Sequence, residues 1–232
     1  MILPTKTAGT VRCTMGKGMS KETSKGREFL NRIYALEDDG DVRSFYDEAA
    51  GNYDEILIAQ VGYVSPAVCA RTMARFLTHK NTRLLDLGCG TGLGGEALAA
   101  LGYEHIDGVD FSTEMLAVAR ARGCYQRLSV ADLNAGTNIP AHSYAAAVSV
   151  GVFGQHVQAD VLDEAIRIVE PGGIFCFSVN ERAFDGYGFR SKIDALVAEN
   201  RVTCLSLGKE PYHSNENIDG WVCVLRIGTE RD

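Results

Sequence analysis

The 232-residue sequence has no Cys-x-x-Cys pair, and its seven cysteines, at positions 13, 69, 89, 124, 176, 204 and 223, are scattered singly. That spacing supports neither a disulfide framework nor a zinc site, and it is the usage of a reducing compartment. The five histidines are equally dispersed and offer no metal-ligand spacing, so no metal is expected. Long apolar runs are also missing. No stretch reaches the roughly 18–20 residues of a membrane-spanning helix, and the first residues lack the apolar core of a secretory signal. The expectation is a cytoplasmic protein with no membrane contact. Positive charge is in short supply: the net charge of −7 speaks against a general nucleic-acid surface. The imbalance is uneven, with residues 1–28 at +4 and the remainder at −11.

What is present is a globular composition, 46% hydrophobic and 23% charged, in a chain whose length suits one α/β domain. Residues 1–26 are rich in Gly, Thr, Ser and Lys without a sustained period and read as a flexible basic tail. Residues 27–80 read as an N-terminal helical cap or lid. Its helices are expected over 27–36, 42–50 and 53–61, the last two hinged at Gly51-Asn52. A further helix opens at Ser65-Pro66, read as an N-cap with proline at the first helical position, and Val68, Cys69, Met73, Phe76 and Leu77 form its single apolar face.

Residues 81–232 form the core, organised around 83–99, RLLDLGCGTGLGGEALA. Leu84, Leu85 and Leu87 make a short apolar run of the kind buried on both faces. Gly88, Gly90, Gly92, Gly94 and Gly95 follow, and then a run of helix formers. Such a turn lets a ligand approach the main chain, and the free N–H groups of the helix start face the same space. Gly90, Gly92 and Gly95 satisfy the G-x-G-x-x-G of a dinucleotide-binding turn, which by itself is weak evidence. Asp86 is more telling. A carboxylate inside an apolar strand must find partners; a ligand ammonium would supply one, whereas a pyrophosphate would be repelled.

LLDLGCGTG resembles the first motif of class I S-adenosylmethionine (SAM) dependent methyltransferases. The resemblance implies that Asp86, Gly88, Gly90, Thr91 and Gly92 surround the amino-acid end of SAM. Downstream, GVDFSTEML resembles the second motif. It implies that Asp110 and Phe111 flank the ribose and that Met115 reaches the adenine. Spacing alone puts Asp110, 24 residues after Asp86, at the tip of the neighbouring strand, where it either meets ribose hydroxyls or, with Ser112, caps the helix at 113–122. A third strand at 126–130 leads to Ala131, Asp132 and Leu133. In the family an acid here accepts from the adenine amino group while the next N–H meets a ring nitrogen; otherwise Asp132 is a plain turn residue.

A small-residue strand at 144–153 contains Val150 and ends in the loop Gly154-Gln155-His156, followed by a helix at 160–169. IVEPGGIFCFSV matches the family's proline-glycine-glycine entry to the fifth strand, expected at 174–179 with Pro171-Gly172-Gly173 as a stop. A helix at 190–200 and strands at 202–207 and 221–227 complete the chain. The alternation implies a Rossmann-like seven-stranded class I methyltransferase sheet, mostly parallel with an antiparallel last strand and helices on both faces. FYDEAAGNYDE with GVDFSTEMLAVARARGCYQRLSVADL is similar to methyltransferase type 11/25-like proteins, closest to the Williams–Beuren region subgroup.

The implied activity is methyl transfer from SAM, leaving S-adenosylhomocysteine, to a small-molecule acceptor, by a monomer or homodimer. The place after the fourth strand reads Gly151-Val152-Phe153-Gly154, without the Asn/Asp-Pro-Pro-aromatic run of nucleic-acid or glutamine methylation. His156 is the candidate general base, since its loop faces the methyl and its ordinary pKa suits neutral pH; capping of the next helix is its other reading. Tyr53 and Tyr46 are either a lid over the sulfonium or ordinary helix packing. His213, Tyr212, Glu181 and Tyr187 are acceptor-side candidates. Two rival functions stand beside this one: SAM binding without turnover, and an NAD(P)-dependent oxidoreductase.

Overall fold

A computed structural model describes residues 21–37 and 39–229. Seven strands, β1 (Leu84–Leu87), β2 (Ile106–Asp110), β3 (Arg127–Val130), β4 (Tyr144–Phe153), β5 (Val169–Asn180), β6 (Val202–His213) and β7 (Ile218–Ile227), form one sheet in the order β3-β2-β1-β4-β5-β7-β6. Strands β1 to β5 pair in parallel, and β7 runs antiparallel to both β5 and β6. The order reverses between β1 and β4, so a crevice opens at the carboxyl ends of those two strands.

Strand alternation sorts the core into two layers. Leu85, Leu87, Ala147, Phe175, Phe177, Cys223 and Leu225 face helices α7 (Leu162–Ile168), α8 (Glu181–Gly186) and α9 (Phe189–Ala198). Leu84, Ala146, Val148, Cys176 and Val224 face helices α4 (Ser65–Ala74) and α5 (Leu93–Ala99). Asp86 lies two residues after Leu84 and therefore on this second face, under the start of α5. Helix α6 (Thr113–Ala121) follows β2.

A third cluster belongs to the cap. Phe29 and Leu30 of α1 (Lys21–Tyr34), Phe45 and Ala49 of α2 (Asp39–Ala49), and Leu57 and Val61 of a π-helical segment (Ile56–Val61) bury one another. That segment continues the single turn α3 (Tyr53–Glu55).

Several local expectations need correction. Residues 1–20 of the expected tail lie outside the described residues, and 21–26 are the first turns of α1. Gly26 is buried there: a Cβ on it would sit 3.1 Å from both Gln60 and Val61, a close approach that composition does not reveal. Ser65 does not cap α4. Val64 takes that position, and the buried Ser65 hydroxyl donates to Ser178 Oγ at 2.9 Å. Pro171-Gly172-Gly173 does not stop the chain before β5 but lies within it. The register jumps from Tyr144↔Val169 to Ala146↔Ile174, and this bulge relieves Pro171 of a ladder hydrogen bond. Helix α8 was not expected, and β6 and β7 extend well beyond 202–207 and 221–227.

Candidate active site

The carboxyl ends of β1, β2, β4 and β5 and the overlying cap enclose a cavity of about 360 Å³. Its size falls in the range of small-molecule sites, about 300–1,000 Å³. Tyr53, Asp86, Gly88, Gly90, Thr91, Asp110, Phe111, Met115, Ala131, Asp132, Leu133, Val150 and His156 all line it. Five chain segments far apart in sequence thus converge on one space. Gly92 is not part of the wall; it is the N-cap of α5, with φ +93, a conformation that glycine adopts without strain.

Asp86 is 1% exposed. Its Oδ2 accepts from the Tyr125 hydroxyl at 2.7 Å, and that hydroxyl in turn accepts from the Gly95 N–H at 3.1 Å. The two glycines at the head of α5 make this possible. A Cβ on Gly94 would lie 2.9 Å from Asp86 Oδ2, and one on Gly95 would collide with the Tyr125 ring. Burial pushes the Asp86 carboxyl up to about 7, against the lowering effect of the Tyr125 hydrogen bond, and nearby Asp110 adds to the rise. Among the described residues no Lys, Arg or His forms an ion pair with Asp86. A buried carboxylate with an open cation requirement is what the ammonium of SAM would satisfy, so the residues present fit that cofactor.

Asp110, 6% exposed, accepts from the Gly90 N–H at 2.8 Å and the Ser112 N–H at 2.9 Å. Burial raises its pKa despite those hydrogen bonds. The helix cap is Ser112, whose hydroxyl accepts from the Met115 N–H at 3.1 Å. Asp110 is therefore not needed as a cap, and it braces the glycine turn while lining the cavity. Asp132 has a side chain 46% exposed; its Oδ1 accepts from the Asn134 N–H at 3.0 Å, so the turn role holds beside its place in the wall.

The imidazole of His156 caps nothing, since the next helical turn begins at Gln158 without a side-chain cap. Its Nε2 is buried without a hydrogen-bond partner. Tyr187 lines the cavity, but the other acceptor-side candidates do not. Glu181 pairs with Lys209. Tyr212 and His213 are buried in a ring cluster with Tyr63, where desolvation lowers the His213 pKa to about 4. The longer β6, which runs to His213, carries Tyr212 and His213 into the interior.

Sequence reasoning missed Arg43, Asn134, Tyr34, Tyr63, Asn180 and Arg182, which also line the cavity. They come from the cap, from loops, and from the end of β5 and the start of α8, where no motif marks them. Arg43 was the most accessible to reasoning, as a cation three residues before Tyr46. The cap is latched to the core at polar points. Thr91 Oγ1 donates to Asp54 Oδ1, Arg122 pairs with Asp54 and donates to the Thr91 carbonyl, and Ser112 Oγ donates to Asp47. Gln155 Nε2 donates to the Leu36 carbonyl at 2.9 Å. Tyr46 contacts both Tyr53 and Phe111 edge-on or tilted, at 5.9 and 5.8 Å between ring centroids. Cap packing and cavity wall are thus one aromatic surface.

Known proteins bear on family and fold. Residues 84–173 match the methyltransferase domain family. Methyltransferase-like protein 27 of Homo sapiens is 33% identical over 138 residues, 58% of this chain and 56% of that protein. The match therefore spans little more than half of the human relative. A demethylmenaquinone methyltransferase of Clavibacter sepedonicus is 31% identical over 191 residues, 78% of this chain and 76% of its own length. Among solved structures, the methyltransferase in complex with the Haloferax volcanii Trm112 methyltransferase activator superposes with a TM-score of 0.64. That likeness covers 82% of this chain and 99% of the other at 18% identity, which speaks for the fold. With a relative aligned over three quarters of both chains and the motif-bearing strands matched in order, this chain belongs to the class I S-adenosylmethionine-dependent methyltransferase family.

Proposed function

We propose that this chain transfers the methyl group of SAM to a small-molecule acceptor. One observation carries the reading: three carboxylates at the ends of adjacent strands line a single capped cavity, and the deepest of them pairs with no cation among the described residues. Asp86 would hold the ammonium and Asp110 the ribose hydroxyls. Asp132 with the Leu133 N–H would meet the adenine edge, with Met115 and Phe111 against its faces. When bound, SAM supplies an electrophilic methyl carbon, which an acceptor lone pair takes as the carbon–sulfur electron pair returns to sulfur.

The chain's own share is position and exclusion of water. Holding the reacting atoms in line is worth about 7–11 kcal/mol. The cap residues Tyr46 and Tyr53 shield the cavity, and their hydroxyls stay protonated, Tyr46 being pushed up to about 12 by burial and Tyr53 also well above its ordinary value. His156, which lines the cavity, would take the acceptor's proton.

A bounded cavity and a net charge of −7 favour a small acceptor over RNA. The name of the Clavibacter relative, a demethylmenaquinone methyltransferase, leans the same way. The free thiols at 69, 89, 124, 176, 204 and 223 suit a reducing compartment such as the cytoplasm. The test is incubation with methyl-labelled SAM and a cell metabolite extract, with total RNA in a parallel arm, followed by mass spectrometry. Labelled small molecules are expected. Label confined to RNA overturns the acceptor class, and SAM binding without label anywhere overturns turnover.

A further inference from the structure

Two arginines line the cavity, and their surroundings differ. Arg43 is occupied: Nη1 donates to the Phe111 carbonyl at 2.7 Å, the guanidinium lies 5.1 Å over the Phe111 ring, and Asp132 is 3.9 Å away. Arg182, on α8 just past the end of β5, has its guanidinium carbon 5.9 Å from the Tyr34 ring centroid. Among the described residues no carboxylate forms an ion pair with it. The neighbouring side chains also leave donors uncommitted. Asn180 Oδ1 is used by the Ala183 N–H at 2.9 Å, and its amide NH₂ faces no protein acceptor among the described residues. All three carboxylates of the wall stand at the ends of β1, β2 and β3, away from β5.

Among the described residues, the β5 side of the cavity therefore offers a forked cation, an amide donor and the rings of Tyr34 and Tyr187, with no acidic counterpart. A planar guanidinium matches a carboxylate with two parallel hydrogen bonds, and the tyrosine faces suit an apolar body. We infer that the methyl acceptor is a small carboxylate-bearing molecule with a ring-sized apolar body, and that Arg182 selects it. This rests on the methyltransferase reading for the word acceptor; the anion preference is a property of the cavity itself.

The probes are benzoate and benzamide, equal in shape and different in charge, measured by ligand-observed NMR on the full chain with and without S-adenosylhomocysteine. Benzoate should bind about tenfold more tightly than benzamide. Arg182→Gln should erase that ratio and Arg182→Lys should keep part of it. Equal binding of the two probes, binding of neither, or an unchanged ratio in Arg182→Gln overturns the inference. Because S-adenosylhomocysteine is titrated separately, a cavity that binds benzoate but not the nucleoside defeats the methyltransferase reading and leaves the anion site standing.

Discussion

Asp86 concentrates the energetics of the site in one side chain. Its carboxyl titrates at about 7 in the folded protein, well above the ordinary carboxylate range, because burial disfavours the charge. The folded state therefore binds more protons than the unfolded one between about pH 4 and 7. The contribution of Asp86 to the stability of the ligand-free protein falls across that window and is level above it, while buried His213, lowered to about 4, contributes with the opposite sign. Asp86→Asn keeps an acceptor for Tyr125 and removes the charge. Chemical denaturation should show it about 2–4 kcal/mol more stable than the parent at pH 8 and nearly equal at pH 4. A variant less stable at pH 8 would mean that a protein cation neutralises Asp86. His156 makes a second claim at this scale. His156→Ala should slow turnover by about 10²-fold or more while SAM affinity stays constant. Unchanged turnover removes His156 from the proton path.

At the scale of elements, the turn between β1 and α5 couples sequence to site. Its glycines serve different ends: Gly92 takes a left-handed backbone, whereas Gly95 makes room for Tyr125. The motif spelled out the first kind of need. Tyr125 itself was illegible, because nothing in a sequence says that a tyrosine before β3 reaches Asp86 of β1. Gly95→Ala should cost about 1–3 kcal/mol of stability through overpacking and weaken SAM binding by displacing the Tyr125 hydroxyl. Thermal unfolding and calorimetry read the two effects. Pattern reasoning placed the buried strands well, since β1 is a short apolar run ended by a glycine turn and β4 a longer one of small residues. It shortened β6 and β7, whose polar outer residues, Lys209, Glu210 and Asp219, look like loop until the partner strand is known. It started β5 too late, because a proline within a bulge cannot be told from one in a turn.

Across the whole molecule, the cavity exists because a helical cap closes over the open end of a sheet. The motifs identified the sheet's contribution residue by residue. The cap's contribution, Arg43 and Tyr34 above all, depends on tertiary packing that no local pattern encodes. The cap is fastened by Asp54, which receives Thr91 and Arg122, and by the Ser112–Asp47 contact. Asp54→Ala should raise hydrogen exchange across residues 39–61 and weaken SAM binding several-fold, with exchange in β4 and β5 unchanged. Exchange that rises in the sheet as well would mean that cap and core unfold as one unit.

The central claim is that Asp86 is the counter-charge for a nucleoside carrying an ammonium. Calorimetric titration with S-adenosylhomocysteine, repeated in buffers of different ionisation heat, tests it directly. At pH 6 binding should release about one proton, none at pH 8, with affinity about tenfold higher at the higher pH, and Asp86→Asn should lose both effects. Binding with no proton release at pH 6, or binding of NAD(H) in place of the nucleoside, contradicts the account.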